Sequence, residues 1–100
     1  MIDNAEDLKR QRLPRRRESV ALIDCGSEAL VHQEQAGSIV SLNFTARFIL
    51  EYCDETRTKG DLVRAMMEEF TGADEPTVLA DVDETLQFLV EAGLVDYGSS

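Results

Sequence analysis

The stretch Ser38 to Arg57, S-I-V-S-L-N-F-T-A-R-F-I-L-E-Y-C-D-E-T-R, leaves the chain little freedom in how it folds. Ser38 to Leu42 is short, β-branched, and free of charge and proline, so it reads as a strand. Asn43 is suited to capping a helix, because its side-chain oxygen can accept an orphan N–H from the turn that follows. Ala46, Ile49, Leu50 and Cys53 then recur at helical spacing, and Phe48 and Tyr52 widen the apolar stripe. A strand thus runs into a helix with almost no loop. One end of the strand is pinned, and its register has little room to slip.

Two further strand candidates precede it, Val20 to Ile23 and Ala29 to Gln33. The turns Asp24 to Glu28 and Glu34 to Gly37 are short and rich in turn-forming residues, which predicts an antiparallel meander. Two of its strands are edges. Arg15, Arg16, Arg17 and Glu18 precede the first and discourage pairing there, whereas S-I-V-S-L carries nothing that protects it. An unguarded edge is either covered by another part of the chain or used.

Two more helices are expected after the first. Thr58 caps the second, with Asp61 as the capping-box acid, and Leu62, Val63, Met66, Met67 and Phe70 form its apolar face. Asp74 is expected to cap the third, with Pro76 in its first turn. Gly93 supplies the left-handed residue at its end, and Leu94 folds back on Leu89 in a Schellman motif. On that helix Val78, Leu79, Val82, Leu86, Leu89 and Val90 fill one arc, the core side. Asp81, Thr85, Phe88 and Ala92 form a neighbouring arc. Phe88 either covers the rim of its own core or makes one wall of a groove whose other wall is the third strand.

Charge separates the chain into two parts. Residues 1–17 hold six bases against Asp3, Glu6 and Asp7, a balance of +3, so residues 18–100 carry −13 to give the net −10. A folded part that acidic repels a phosphate backbone and suits basic peptides or proteins. Residues 1–19 are polar, lack periodicity and contain Pro14. They read as a flexible basic arm ahead of a domain spanning 20–97. One hundred residues bury only roughly 60–65% of the unfolded surface, too little to support a deep catalytic cavity. Cys25 and Cys53 are far apart, without a CxxC, and His32 is the single histidine, so reduced buried thiols are expected and no metal site. The carboxylates Asp81, Asp83 and Glu84 read as a solvated face, and no phosphate loop or catalytic triad is recognisable. No cofactor or catalysis is expected. With no membrane-spanning run and no signal-peptide pattern, the expected location is the cytoplasm.

Residues at two places resemble the PqqD family. The first block matches at Leu42, Asn43, Thr45, Ala46, Ile49, Leu50, Cys53, Asp54, Arg57 and Thr58. The second matches at Asp81, Val82, Leu86, Leu89, Gly93, Leu94 and Val95. The likeness extends over about residues 18–97. Glu55 stands where the family often has glycine, and a left-handed conformation there would cost about 1 kcal/mol. V-A-L-I-D-C-G also differs from the aromatic, arginine-containing first strand of the pyrroloquinoline-quinone protein itself, which points to another pathway. The resemblance implies an α+β, winged helix-turn-helix-like domain, a three-stranded antiparallel sheet followed by three helices. It further implies a binding role: the leader of a ribosomally made precursor peptide adds as a strand to the third strand and lies against the third helix. The chain would then present the peptide to a modifying enzyme, of the radical-SAM type. The implied contacts are Ser38, Ile39, Val40, Ser41 and Leu42 on one wall, and Asp81, Thr85, Phe88 and Ala92 on the other. Without leader, a monomer or an edge-paired dimer is expected.

Two other readings use the same residues. A winged-helix DNA-binding regulator would suit the order of elements, but its recognition helix needs basic and amide side chains. The third helix carries Asp81, Asp83, Glu84 and Glu91 and no lysine or arginine. An enzyme-binding subunit that takes no leader would use the same exposed edge.

Overall fold

The computed structural model describes residues 9–54, 56–70 and 72–97. In chain order its named elements are β1 (Arg15–Arg16), β2 (Val20–Cys25), β3 (Glu28–Gln33), β4 (Ser38–Leu42), α1 (Phe44–Tyr52), α2 (Lys59–Glu69), α3 (Glu75–Glu91) and β5 (Val95–Asp96). The expected α+β architecture is present. A three-stranded antiparallel sheet in the order β2–β3–β4 is followed by three helices, and β1 pairs with β5 in a separate two-stranded ribbon.

The junction after β4 forms as its sequence predicts. Asn43 is extended and its side chain accepts from Ala46 N–H at 2.8 Å, which stops the strand and starts α1 without a loop. Register then fixes the two faces of the sheet. Leu22 pairs with Val31, Val31 with Val40, and Ala29 with Leu42, so these side chains share one face. That face closes on Ile49 and Leu50 of α1 and on Val82, Leu86 and Leu89 of α3, all of them buried. Leu62, Val63 and Met66 of α2 complete the core. Thr58 and Asp61 form the predicted capping box of α2, and the Thr58 N–H holds the Asp61 carboxyl below its usual range. Gly93, at φ 75°, ends α3 in the Schellman arrangement, with Gly93 N–H on Val90 O and Leu94 N–H on Leu89 O.

Several expectations need correcting. Residues 9–17 are not a detached arm. Leu13 and Pro14 are buried, Leu13 N–H donates to Arg57 O at 2.8 Å, and Lys59 N–H donates to Gln11 O at 2.8 Å. Arg15 and Arg16 pair with Asp96 and Val95, and Arg17 N–H donates to Leu94 O. These partners lie over 40 residues away, so no local pattern announces them. Residues 1–8 of the expected arm lie outside the described residues, as does Glu55.

β2 runs two residues beyond Ile23, because the turn tightens to Gly26 and Ser27 and draws Asp24 and Cys25 into the ladder. Cys25 is consequently exposed, and only Cys53 is buried. Asp74 precedes α3 without a side-chain capping bond. Val90 of α3 and Met67 of α2 are exposed, since the covered arc of each helix is narrower than its apolar stripe suggested.

Candidate functional site

The two-residue turn between β2 and β3 determines which backbone groups of β4 face outward. A loop of that length closes on a hydrogen-bonded pair, here Cys25 and Glu28, and such pairs alternate along an antiparallel ladder. Glu28, Leu30 and His32 therefore direct their backbone groups to β2, while Ala29, Val31 and Gln33 direct theirs to β4. Their partners Leu42, Val40 and Ser38 are consumed by β3. What remains on the open edge are the N–H and C=O groups of Ile39 and Ser41. Among the described residues, no backbone bond outside the ladders engages either N–H.

α3 stands beside this edge. A cleft of about 500 Å³ is lined by Ser41 and Leu42 of β4, by Asn43, Thr45 and Ala46 at the start of α1, and by Asp81, Glu84, Thr85 and Phe88 of α3. Phe88 is 45% exposed, and Ile39, on the outer side of the strand, is 66% exposed. Phe88 is thus a groove wall and not merely a lid on its own core. The strand and the helix run in opposite directions. Gln33, the partner of Ser38, donates from Nε2 to Gly93 O at 2.5 Å, which places the Ser38 end of β4 at the C-terminal end of α3. Leu42 and Asn43 accordingly lie at the other end, towards Asp81.

Of the expected site residues, Ser41, Leu42, Asp81, Thr85 and Phe88 meet in this cleft. Ser38, Ile39 and Val40 continue its strand wall, and Ala92 lies beyond its lining at the Ser38 end. Asn43, Thr45, Ala46 and Glu84 are additions. Glu84 shares a face with Asp81 at a spacing of three, a signal the run D-V-D-E obscured by resembling an ordinary solvated surface.

The helix carries its acids in two different states. Asp83 meets Lys59 Nζ at 2.7 Å, and Lys59 is only 7% exposed. That pair ties α2 to α3 and takes Lys59 away from solvent. Asp81 and Glu84 have no such partner among the described residues. Opposite the groove, Arg47 fastens the β2–β3 turn to α1, bonding Asp24 Oδ1 at 2.8 Å, Glu28 O at 3.0 Å and Glu51 Oε1 at 2.7 Å. The same guanidinium holds the Asp24 carboxyl below its usual range. A second cleft, along Arg15, Arg16 and Arg17 with Glu34 and Gln35, is polar and has no apolar wall.

The part of the chain that builds the strand edge and the helix wall is also the part that a family model matches. The family model described as coenzyme PQQ synthesis protein D (PqqD) matches residues 28–95, from β3 to β5. The chain belongs to the PqqD family. The matched span contains both walls of the groove and leaves β1 and β2 outside it. Among solved structures, the PqqD-like fold of this chain is similar to that of TbiB1, determined in complex with the TbiA(beta) leader peptide. The TM-score is 0.75 at 21% identity, covering 86% of this chain and 99% of that one. A comparison with curated proteins returns no match.

Proposed function

We propose that this PqqD-family chain is a leader-peptide recognition element. It binds the leader of a ribosomally made precursor peptide by strand addition to β4 and presents the peptide to a modifying enzyme, without catalysing a step itself. The observation that carries this reading is the open edge at Ile39 and Ser41 beside the cleft whose far wall is α3. In strand addition, main-chain bonds supply affinity, and alternate side chains entering an adjoining groove supply specificity. Both parts are present side by side. TbiB1, similar in fold, was solved with a leader peptide, which supports the same class of ligand here. A radical-SAM enzyme is the modifying partner we favour, and an edge-paired second copy is the competing occupant of β4 when no leader is bound.

The DNA-binding alternative loses ground in the structure. α3 presents Asp81 and Glu84, and Lys59 of α2 is buried against Asp83. A duplex would meet negative charge on the helix meant to read it. Titrating synthetic peptides made from any short open reading frame next to this gene, while following amide chemical shifts, tests the proposal. Shifts concentrated at residues 38–42 and 81–92 are expected. Shifts confined to α2 and the Arg15–Arg17 stretch, with β4 silent, would overturn it. Co-purification with the modifying enzyme, with and without precursor, separates a leader binder from a subunit that only docks the enzyme.

A further inference from the structure

We propose that the groove selects a leader segment carrying a basic residue and, two positions later in the chain, a bulky apolar one: Lys/Arg-x-Φ. This deepens the strand-addition reading and rests on it. The groove is chemically graded along α3. Asp81 and Glu84 stand at the end near Asn43 and Thr45, without ion-pair or hydrogen-bond partners among the described residues. Phe88, half-exposed, stands nearer the Ser38 end. Asp83, between the two acids in sequence, is already neutralised by Lys59 and points its charge elsewhere. The negative charge left over is therefore confined to one end of the cleft.

Spacing sets the motif. At 1.5 Å of rise per residue, the midpoint of Asp81 and Glu84 lies about 8 Å along the helix from Phe88. In an added strand, side chains on the groove side are alternate residues, about 7 Å apart. A cation between the two carboxylates thus leaves the next groove-facing side chain against the Phe88 ring. Separations of one or three residues would put one of the two side chains on the opposite face of the sheet.

Direction sets the order. The ladders of the sheet are antiparallel, and antiparallel pairing is the stronger and commoner form. A peptide antiparallel to β4 runs parallel to α3, because β4 and α3 themselves run in opposite directions. It therefore passes the acids first and the ring second. The reversed motif, Φ-x-Lys/Arg, fits a parallel strand only.

A random peptide library displayed on its encoding nucleic acid, selected on the immobilised chain, tests this. Recovered peptides are checked for protection of the Ile39 and Ser41 amides. The expected result is enrichment of Lys/Arg-x-Φ over both Φ-x-Lys/Arg and Glu-x-Φ by about tenfold. Selection on the charge-reversed double variant Asp81→Lys, Glu84→Lys should invert the preference towards Asp/Glu-x-Φ. Both positions are exposed, so the fold is unaffected, and a melting curve checks it. Binders that protect β4 but show no basic preference, or keep it in the double variant, overturn the motif and leave leader binding standing. A selection that yields no peptide protecting β4 overturns both.

Discussion

The two edges of the sheet are built from similar residues and end up with different capacities. β2 starts under the chain that precedes it, with Val20 N–H bonded to Arg17 O at 3.2 Å. Its far end is fastened through Asp24 to Arg47. Among the described residues, α1 packs on the sheet chiefly against β3 and β4 and reaches β2 through Arg47 at its far end. Among the described residues, β4 is open along Ile39 and Ser41, and it faces α3 across the cleft. An open edge alone invites any strand; an open edge with a charged and aromatic wall can choose among them. What distinguishes them is the strand-to-helix junction at Asn43, which delivers β4 alongside α1 and α3 and leaves β2 on the outside.

The strongest test of that contrast uses proline at adjacent positions of β4. Val40→Pro removes a ladder bond to β3 and should destabilise the domain by roughly 3 kcal/mol or more, read from thermal or urea unfolding. Ile39→Pro removes only an outward donor, so the fold should survive while leader affinity falls by more than about tenfold. Normal binding by Ile39→Pro would break the account of the edge.

A bulky maleimide distinguishes the edges next. Attached to Cys25 at the end of β2, it should leave binding unchanged; attached to Ser41→Cys it should block it. Cys53 does not complicate the experiment. It is buried, and burial pushes its thiol up to about 12, leaving almost no thiolate to react at neutral pH. Peptide fluorescence anisotropy with each labelled protein gives the answer.

Phe88→Ala addresses the helix wall. A groove anchor should lose about 1–3 kcal/mol of binding by calorimetry, with little change in melting because nearly half of the ring is exposed. Ile23→Ala on β2, also exposed, should change binding not at all.

Much of this was legible in the sequence because it is local. β4, its Asn43 cap, the capping box at Thr58 and the Schellman stop at Gly93 each depend on residues within a turn or two. Helical phase alone sets Phe88 outside the core arc of its helix, on the side where the cleft lies. The strap of residues 11–17 was not legible. Leu13 lies between arginines and bonds to Arg57, while Arg15 and Arg16 pair with Asp96 and Val95, all of them distant in sequence. Glu84 was missed for a different reason: D-V-D-E looks uniform until Lys59 neutralises Asp83 and leaves its neighbours unpaired.

The smallest expected effect lies at the β2 end. Arg47 lowers the Asp24 pKa below its ordinary 3.8, so the contact's contribution is present above that value. It is lost as pH falls through the depressed value. Amide exchange at Gly26, whose N–H donates to Asp24 Oδ1, should quicken in acid relative to the intrinsic rate, while Val40 and Leu42 stay protected. Equal loosening of both strands would mean that the two edges are not independently held.

Hydrogen exchange also tests the central claim most directly. In the free chain, Val40 and Leu42 amides should exchange slowly, bound to β3, and Ile39 and Ser41 amides quickly. Saturating leader peptide should slow Ile39 and Ser41 by at least about tenfold and leave Val40 and Leu42 as they were. Saturation with Ile39 and Ser41 still exchanging at their free rates would contradict strand addition to β4.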